Sequence, residues 1–137
     1  MKLKDVIAKF RTSDYDYSCS EATIRGCNEY YSLNMSEDAM KQMAGFSGGM
    51  YIGGLCGINA ASVAVISHMF TKTVAHQTPV LPQLLKEYYS LFKEEYKSIQ
   101  CSYLKPVHQA KHGGCTHMIV ESADILEQLI DKYQKEA

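Results

Sequence analysis

The sequence has no excess of either charge: fourteen Lys and Arg against fifteen Asp and Glu leave a formal net charge of −1 over 137 residues. A nucleic-acid binder normally carries a basic excess, so no nucleic-acid partner is expected. Long apolar runs are also missing. The longest stretch, Ile58 to Phe70, is interrupted by Asn59, Ser62, Ser67 and His68, and is too short and too polar to span a bilayer. In the opening MKLKDVIAKF, Lys4, Asp5 and Lys9 break up any secretory apolar segment, so a cytoplasmic location with no membrane partner is expected. There is no internal repeat, no low-complexity tract and no linker. Apolar residues at 46% and charged residues at 21% are ordinary globular values, which exclude disorder and predict one compact domain over residues 1–137.

No stretch alternates as a strand would, and the apolar spacing is helical nearly throughout. The expected fold class is all-α, with five or six helices. The periodicity predicts helices over Leu3–Phe10, Cys19–Leu33 and a short segment capped by Ser36. It predicts a central helix from Cys56 or Gly57 to Ala75, then helices from about Pro82 to Ile99 and from Cys115 to Tyr133. Asp16 or Ser18 can cap the second helix, with Glu21 in its first turn. Cys101 to Leu104 reads as a turn before Pro106. Six of the nine glycines fall between Gly45 and Gly57, a density that predicts a glycine-rich loop before the central helix.

Five cysteines are many for a small domain of a reducing compartment, where enrichment points to metal or redox chemistry more than to structural disulfides. Cys19, Cys56 and Cys115 each fall at a predicted helix start, and Cys101 opens the turn after the fifth helix. Cys27 lies inside the second helix and reads as core filler. A helix start presents unpaired N–H groups and the positive end of the dipole, which favour thiolate. At about 0.3–1 kcal/mol, up to ~2 when partly buried, that lowers a thiol pKa of roughly 8.5 by about 0.2–1.5 units. On this ground Cys56, with its glycine approach, is expected to be the most activated thiol.

Two mechanisms remain open. In one, the four cysteines form a dithiol–disulfide or electron-transfer system serving an external redox partner, a thiol–disulfide oxidoreductase if it turns over. In the other, they ligate zinc or an iron–sulfur cluster. A third reading is a non-catalytic helical interaction protein. No C-x-x-C pair occurs, so any site must be assembled by the tertiary fold. His112-Gly-Gly-Cys-Thr-His117 is either a metal site completed by Cys56 or Cys19 or a solvated loop flanking Cys115. His68 reads as a core or edge residue, and His76 and His108 carry no special signal. Tyr15, Tyr17, Tyr30, Tyr31 and Tyr51 could line a cleft near the cysteines but are equally suited to half-exposed packing, and no role is assigned to them. The aromatic stripe of the fifth helix reads as core.

Several segments together resemble the redox-active protein family with the C_GCAxxG_C_C cysteine pattern. They are Cys19-Ser-Glu-Ala, Ala44-Gly-Phe-Ser-Gly-Gly-Met50, Gly54-Leu-Cys-Gly57, Phe92-Lys-Glu-Glu-Tyr, Cys101-Ser-Tyr-Leu, and Cys115 before a helix containing Ala123-Asp-Ile-Leu-Glu. The resemblance runs from about Ser18 to Tyr133. It implies redox activity, with Cys19, Cys56, Cys101 and Cys115 as the signature cysteines. After Cys56-Gly57, Ile58-Asn59-Ala60-Ala61 stands for the pattern's Ala-x-x-Gly, with Ala61 read as the glycine's replacement, and Cys27 is extra. A similar domain occurs in a haem-bearing cytochrome, but no C-x-x-C-H attachment site is present here.

Overall fold

A computed structural model describes residues 1–136; Ala137, the last residue of the expected 1–137 domain, lies outside them. The chain is all-helical among the described residues. Its α-helices are α1 (Leu3–Lys9), α2 (Cys19–Tyr31), α3 (Glu37–Met40), α4 (Gly57–Phe70), α5 (Val80–Tyr96), α6 (Cys101–His112), α7 (Thr116–Glu121) and α8 (Ala123–Glu136). None is long and apolar enough to cross a membrane.

Each long helix buries the stripe its spacing defines. On α5 these are Leu81, Leu84, Tyr88 and Phe92, and on α8 Leu126, Leu129, Ile130 and Tyr133. Helix α4 buries residues on several sides, including Ile58, Ala61, Val65 and Ile66, and packs on α2 and α5. The outer face of α5 meets α8, and α1 closes the other side against α2, α7 and α8. Gly26 of α2 leaves no room for a β-carbon against Ile7, so α1 and α2 approach closely there. Truncating the fully buried Phe92 to Ala would cost about 3–5 kcal/mol.

Three expectations are corrected. The predicted turn at Cys101–Leu104 is the first turn of α6, which runs through Pro106 to His112. Pro106 lies in the second turn, and the carbonyl it leaves without an N–H belongs to exposed Ser102, where water can satisfy it. The predicted Cys115–Tyr133 helix is divided at Ser122 into α7 and α8. With the added α6, that division raises the count from the expected five or six to eight. The glycine-rich segment before α4 is organised as successive turns. A 3-10 turn over Lys41–Phe46 is followed by a wide turn over Gly49–Gly53, closed by the Gly54 N–H donating to the Gly49 carbonyl at 2.9 Å.

Candidate functional site: a cavity lined by four thiols

Local chemistry sets each helix start. Ser18, one of the two caps the sequence offers, caps α2 by accepting from the Glu21 N–H, while the Glu21 carboxylate accepts from the Ser18 N–H at 3.1 Å, forming a capping box. Ser47 Oγ donates to Ser18 Oγ at 2.7 Å and Ser20 Oγ to the Met43 carbonyl at 2.8 Å, which fastens this start to the 3-10 turn. Cys19 is therefore the first residue of a firmly held helix.

Cys56 is the N-cap of α4 and Cys101 the first residue of α6. The Cys56 N–H donates to the Ile99 carbonyl at 2.8 Å and the Cys101 N–H to the Gly54 carbonyl at 2.7 Å, around an antiparallel bridge between Leu55 and Gln100. These bonds hold two cysteines that are far apart in sequence on adjacent strands of backbone. Cys115 is the N-cap of α7, its carbonyl accepting from the Ile119 N–H at 2.9 Å.

Two glycines permit the assembly. A β-carbon on Gly57 would stand 2.5 Å from Cys19 Sγ and 3.0 Å from the Phe46 carbonyl oxygen. A β-carbon on Gly49, at φ +64°, would stand 2.7 Å from Cys101 Cβ and 2.6 Å from Gly54 backbone atoms. Between them the chain makes a costly excursion: Met50 and Tyr51 both adopt left-handed backbone, each with φ 62°. For non-glycine residues this costs roughly 1–2 kcal/mol apiece. Met50, Tyr51 and Ile52 project from this turn with 49%, 76% and 82% of their surfaces exposed.

The result is a cavity of about 230 Å³ lined by Cys19, Cys56, Cys101 and Cys115. Arg11 and Lys105 are the charged residues of its wall. Arg11 donates from Nη1 to the Tyr17 carbonyl at 2.6 Å and from Nη2 to Thr116 Oγ1 at 3.0 Å, tying the approach to α2 to the first turn of α7. Cys27 lies elsewhere, fully buried in α2, and burial pushes its thiol pKa up.

The electrostatics correct the expectation for Cys56. Its sulfur does receive the helix-start stabilisation, from the N–H groups of Ile58 and Asn59, but burial outweighs it and the pKa is pushed up to about 12. Loss of hydration exceeds the dipole contribution once a thiol is this enclosed. Cys101 and Cys115 are also raised, first by burial and next by Cys19, while Lys105 pulls both down and Arg11 acts on Cys115 as well. Cys56, Cys101 and Cys115 are each held toward the neutral thiol by Cys19, which makes Cys19 their shared neighbour.

His112 and His117 do not line the thiol cavity; their rings stack on each other at 4.0 Å between centroids, with His108 beyond His112 at 6.0 Å. Four thiols are the donor set that zinc or an iron–sulfur cluster takes. Among the described residues, however, no three His, Cys, Asp or Glu side chains come together in an arrangement that could hold a metal ion. None of the five candidate tyrosines lines the cavity: Tyr15 and Tyr17 stack beside Phe10, and Tyr51 points outward. Sequence reasoning missed Arg11 and Lys105. Lys105 is one helical turn beyond Cys101, a relation hidden by reading Cys101 to Leu104 as a turn before Pro106.

Four helix starts carrying four thiols into one cavity define a cysteine-centred helical domain. The sequence model of the family described as "Putative redox-active protein (C_GCAxxG_C_C)" matches residues 17–129, and the chain belongs to that family. Neither a curated protein nor a solved structure matches the chain. All four cavity cysteines lie within the matched residues. Counted from Cys56, the pattern's Gly-Cys-Ala-x-x-Gly falls on Leu55 to Ala60, so Ala60, not Ala61, stands for the second glycine, and Gly57 stands for the alanine.

Proposed function

We infer that this chain is a dithiol–disulfide redox protein in which Cys19, Cys56, Cys101 and Cys115 are the reacting groups. The observation that carries this reading is the convergence of four thiols on one small cavity with Cys19 as the common neighbour. Thiolates so placed oppose one another's ionisation. Forming a disulfide removes two protons and two electrons and abolishes that repulsion, so the reduced cluster is a natural donor of reducing equivalents.

The less buried thiols beside cations begin the exchange. Cys115 or Cys101, each acted on by Lys105, attacks an external disulfide as thiolate and expels one thiol from it. Cys19 then gives up its proton, attacks the protein sulfur of the mixed disulfide and releases the second thiol. One protein disulfide forms as one external disulfide breaks. Cys56, deepest in the wall, belongs to a second pair that reacts after the first.

The test is stepwise oxidation of the native protein with a stoichiometric disulfide reagent, followed by alkylation and peptide mapping. Free thiols should disappear two at a time from among Cys19, Cys56, Cys101 and Cys115, with Cys27 left free. Replacing Cys19 with Ser should slow formation of the first disulfide at least about tenfold, because the shared neighbour is lost. Thiols that remain alkylatable after oxidation, or bonds that recruit Cys27, would overturn the reading.

A further inference from the structure

The wall of the thiol cavity is electrically one-sided. Its fourteen lining residues include Arg11 and Lys105 and not one Asp or Glu. This contrasts with the chain as a whole, in which acidic residues outnumber Lys and Arg by fifteen to fourteen. Some basic residues elsewhere in the fold stand in ion pairs: Lys4 with Glu121 and Asp124, Arg25 with Glu37, Lys132 with Glu87. Neither Arg11 nor Lys105 has an ion-pair partner among the described residues. The Arg11 guanidinium donates only to a carbonyl and a hydroxyl, so its positive charge is not neutralised. Lys105 is exposed on α6, one turn from Cys101, and reaches the cavity mouth.

We propose that the cavity accepts small anionic disulfides, drawn in by Arg11 and Lys105 and reduced by the thiols between them. This inference rests on the dithiol–disulfide reading and adds the class of substrate. Size and charge argue together. A cavity of about 230 Å³ is smaller than the ~300–1,000 Å³ of sites for drug-sized ligands, which suits a disulfide with short arms. Acidic groups on those arms meet the two unpaired cations at the rim. Paired basic and acidic arms would not, because no carboxylate lines the wall. A wall of one sign with apolar neighbours such as Leu104, Met118 and Ile119 concentrates counter-charged solutes and raises their encounter rate.

The chemistry balances within one turnover. A cavity thiolate bonds to one sulfur of the substrate, whose S–S bond breaks, and the departing thiolate takes a proton from water. A second cavity thiol loses its proton, bonds to the protein sulfur of the mixed disulfide and expels the other half as a thiol. Two electrons pass from protein to substrate, one S–S bond is exchanged for another, and no further reactant is required.

The test measures single-turnover oxidation of the reduced full-length chain by three disulfides of like size: anionic 3,3′-dithiodipropionate, neutral 2-hydroxyethyl disulfide and cationic cystamine. At low salt the anionic reagent should react about tenfold or more faster than the cationic one, with the neutral reagent between, and added salt should compress the range. Lys105→Gln should lower the ratio of anionic to neutral rates several-fold, and Lys105→Glu should bring it below one. Using the ratio cancels any change in the thiols themselves, and circular dichroism verifies that the variants are folded. Oxidation by all three at rates indifferent to charge, or a ratio unmoved in Lys105→Glu, would overturn the substrate class while leaving the dithiol reading standing. Failure of all three to oxidise the protein would remove both.

Discussion

Cys19 Sγ occupies the space that a β-carbon on Gly57 would need, at 2.5 Å from where that atom would stand. The start of the central helix is thus shaped around the thiol of another helix, at the position where the family pattern carries alanine. The thiol can turn to another staggered rotamer, but the Phe46 carbonyl at 3.0 Å is backbone and yields less. Gly57→Ala should therefore cost about 1–3 kcal/mol in urea unfolding and change the rate at which Cys19 forms its first disulfide. In a Cys19→Ala background the cost should fall only in part, because the Phe46 carbonyl stays in place. An equal cost in both backgrounds would locate the clash elsewhere.

Burial, not the helix start, governs Cys56. Its pKa of about 12 predicts that it is the last cavity thiol alkylated in the native protein at neutral pH, and that its reactivity still climbs at the highest pH the fold withstands. The same shift affects stability. The unfolded thiol ionises near roughly 8.5 and the folded one much later, so between those values the unfolded state holds fewer protons and is favoured. Stability should fall with rising pH above about 9, by on the order of 1.4 kcal/mol per unit from this group. Cys56→Ala should flatten that decline, read from urea curves at pH 7.5 and 9.5.

His108 behaves in the opposite sense. It is buried, its Nδ1 has no hydrogen-bond partner, and burial followed by the nearby His112, Lys111 and His117 lowers its pKa. The unfolded imidazole takes up a proton near roughly 6.5 while the folded one resists, so stability should be lost as pH falls below that value. Replacing His108 with Leu should lessen the difference between urea midpoints at pH 7.5 and 5.5. An undiminished difference would assign the acid sensitivity to other groups.

The left-handed backbone at Tyr51 predicts a stabilising substitution. Tyr51 is 76% exposed, so its ring contributes little packing, and glycine tolerates φ 62° without a β-carbon. Tyr51→Gly should raise stability by about 0.5–1 kcal/mol, after allowing for the greater freedom of glycine in the unfolded chain. Thermal unfolding checks this. A loss of stability would mean that the exposed ring makes contacts that hold the turn.

The helices that bury a periodic stripe were legible in the sequence because that pattern is local. Leu81, Tyr88 and Phe92 mark α5, and Ser18 with Glu21 marks the start of α2. The helix-start placement of Cys19, Cys56 and Cys115 was legible for a related reason, since capping and glycine signals fall next to them. The rest depends on what the fold brings near. Helix α6 was hidden by Pro106, and with it the one-turn relation of Lys105 to Cys101. Arg11, just past the C-terminal end of α1, is held at the cavity by its bonds to Tyr17 and Thr116, a placement no local pattern records. The Cys56 expectation failed because a helix dipole is a local property, whereas the burial that overrides it is tertiary.

The central claim, that the four cavity thiols form a redox unit from which Cys27 is excluded, is tested most directly by intact-mass measurement across a thiol–disulfide redox titration. The account predicts loss of two hydrogens and then two more, with one alkylatable thiol remaining at the oxidised end, mapped to Cys27. A protein that keeps all five thiols across the titration, or whose remaining free thiol is a cavity cysteine, would contradict it.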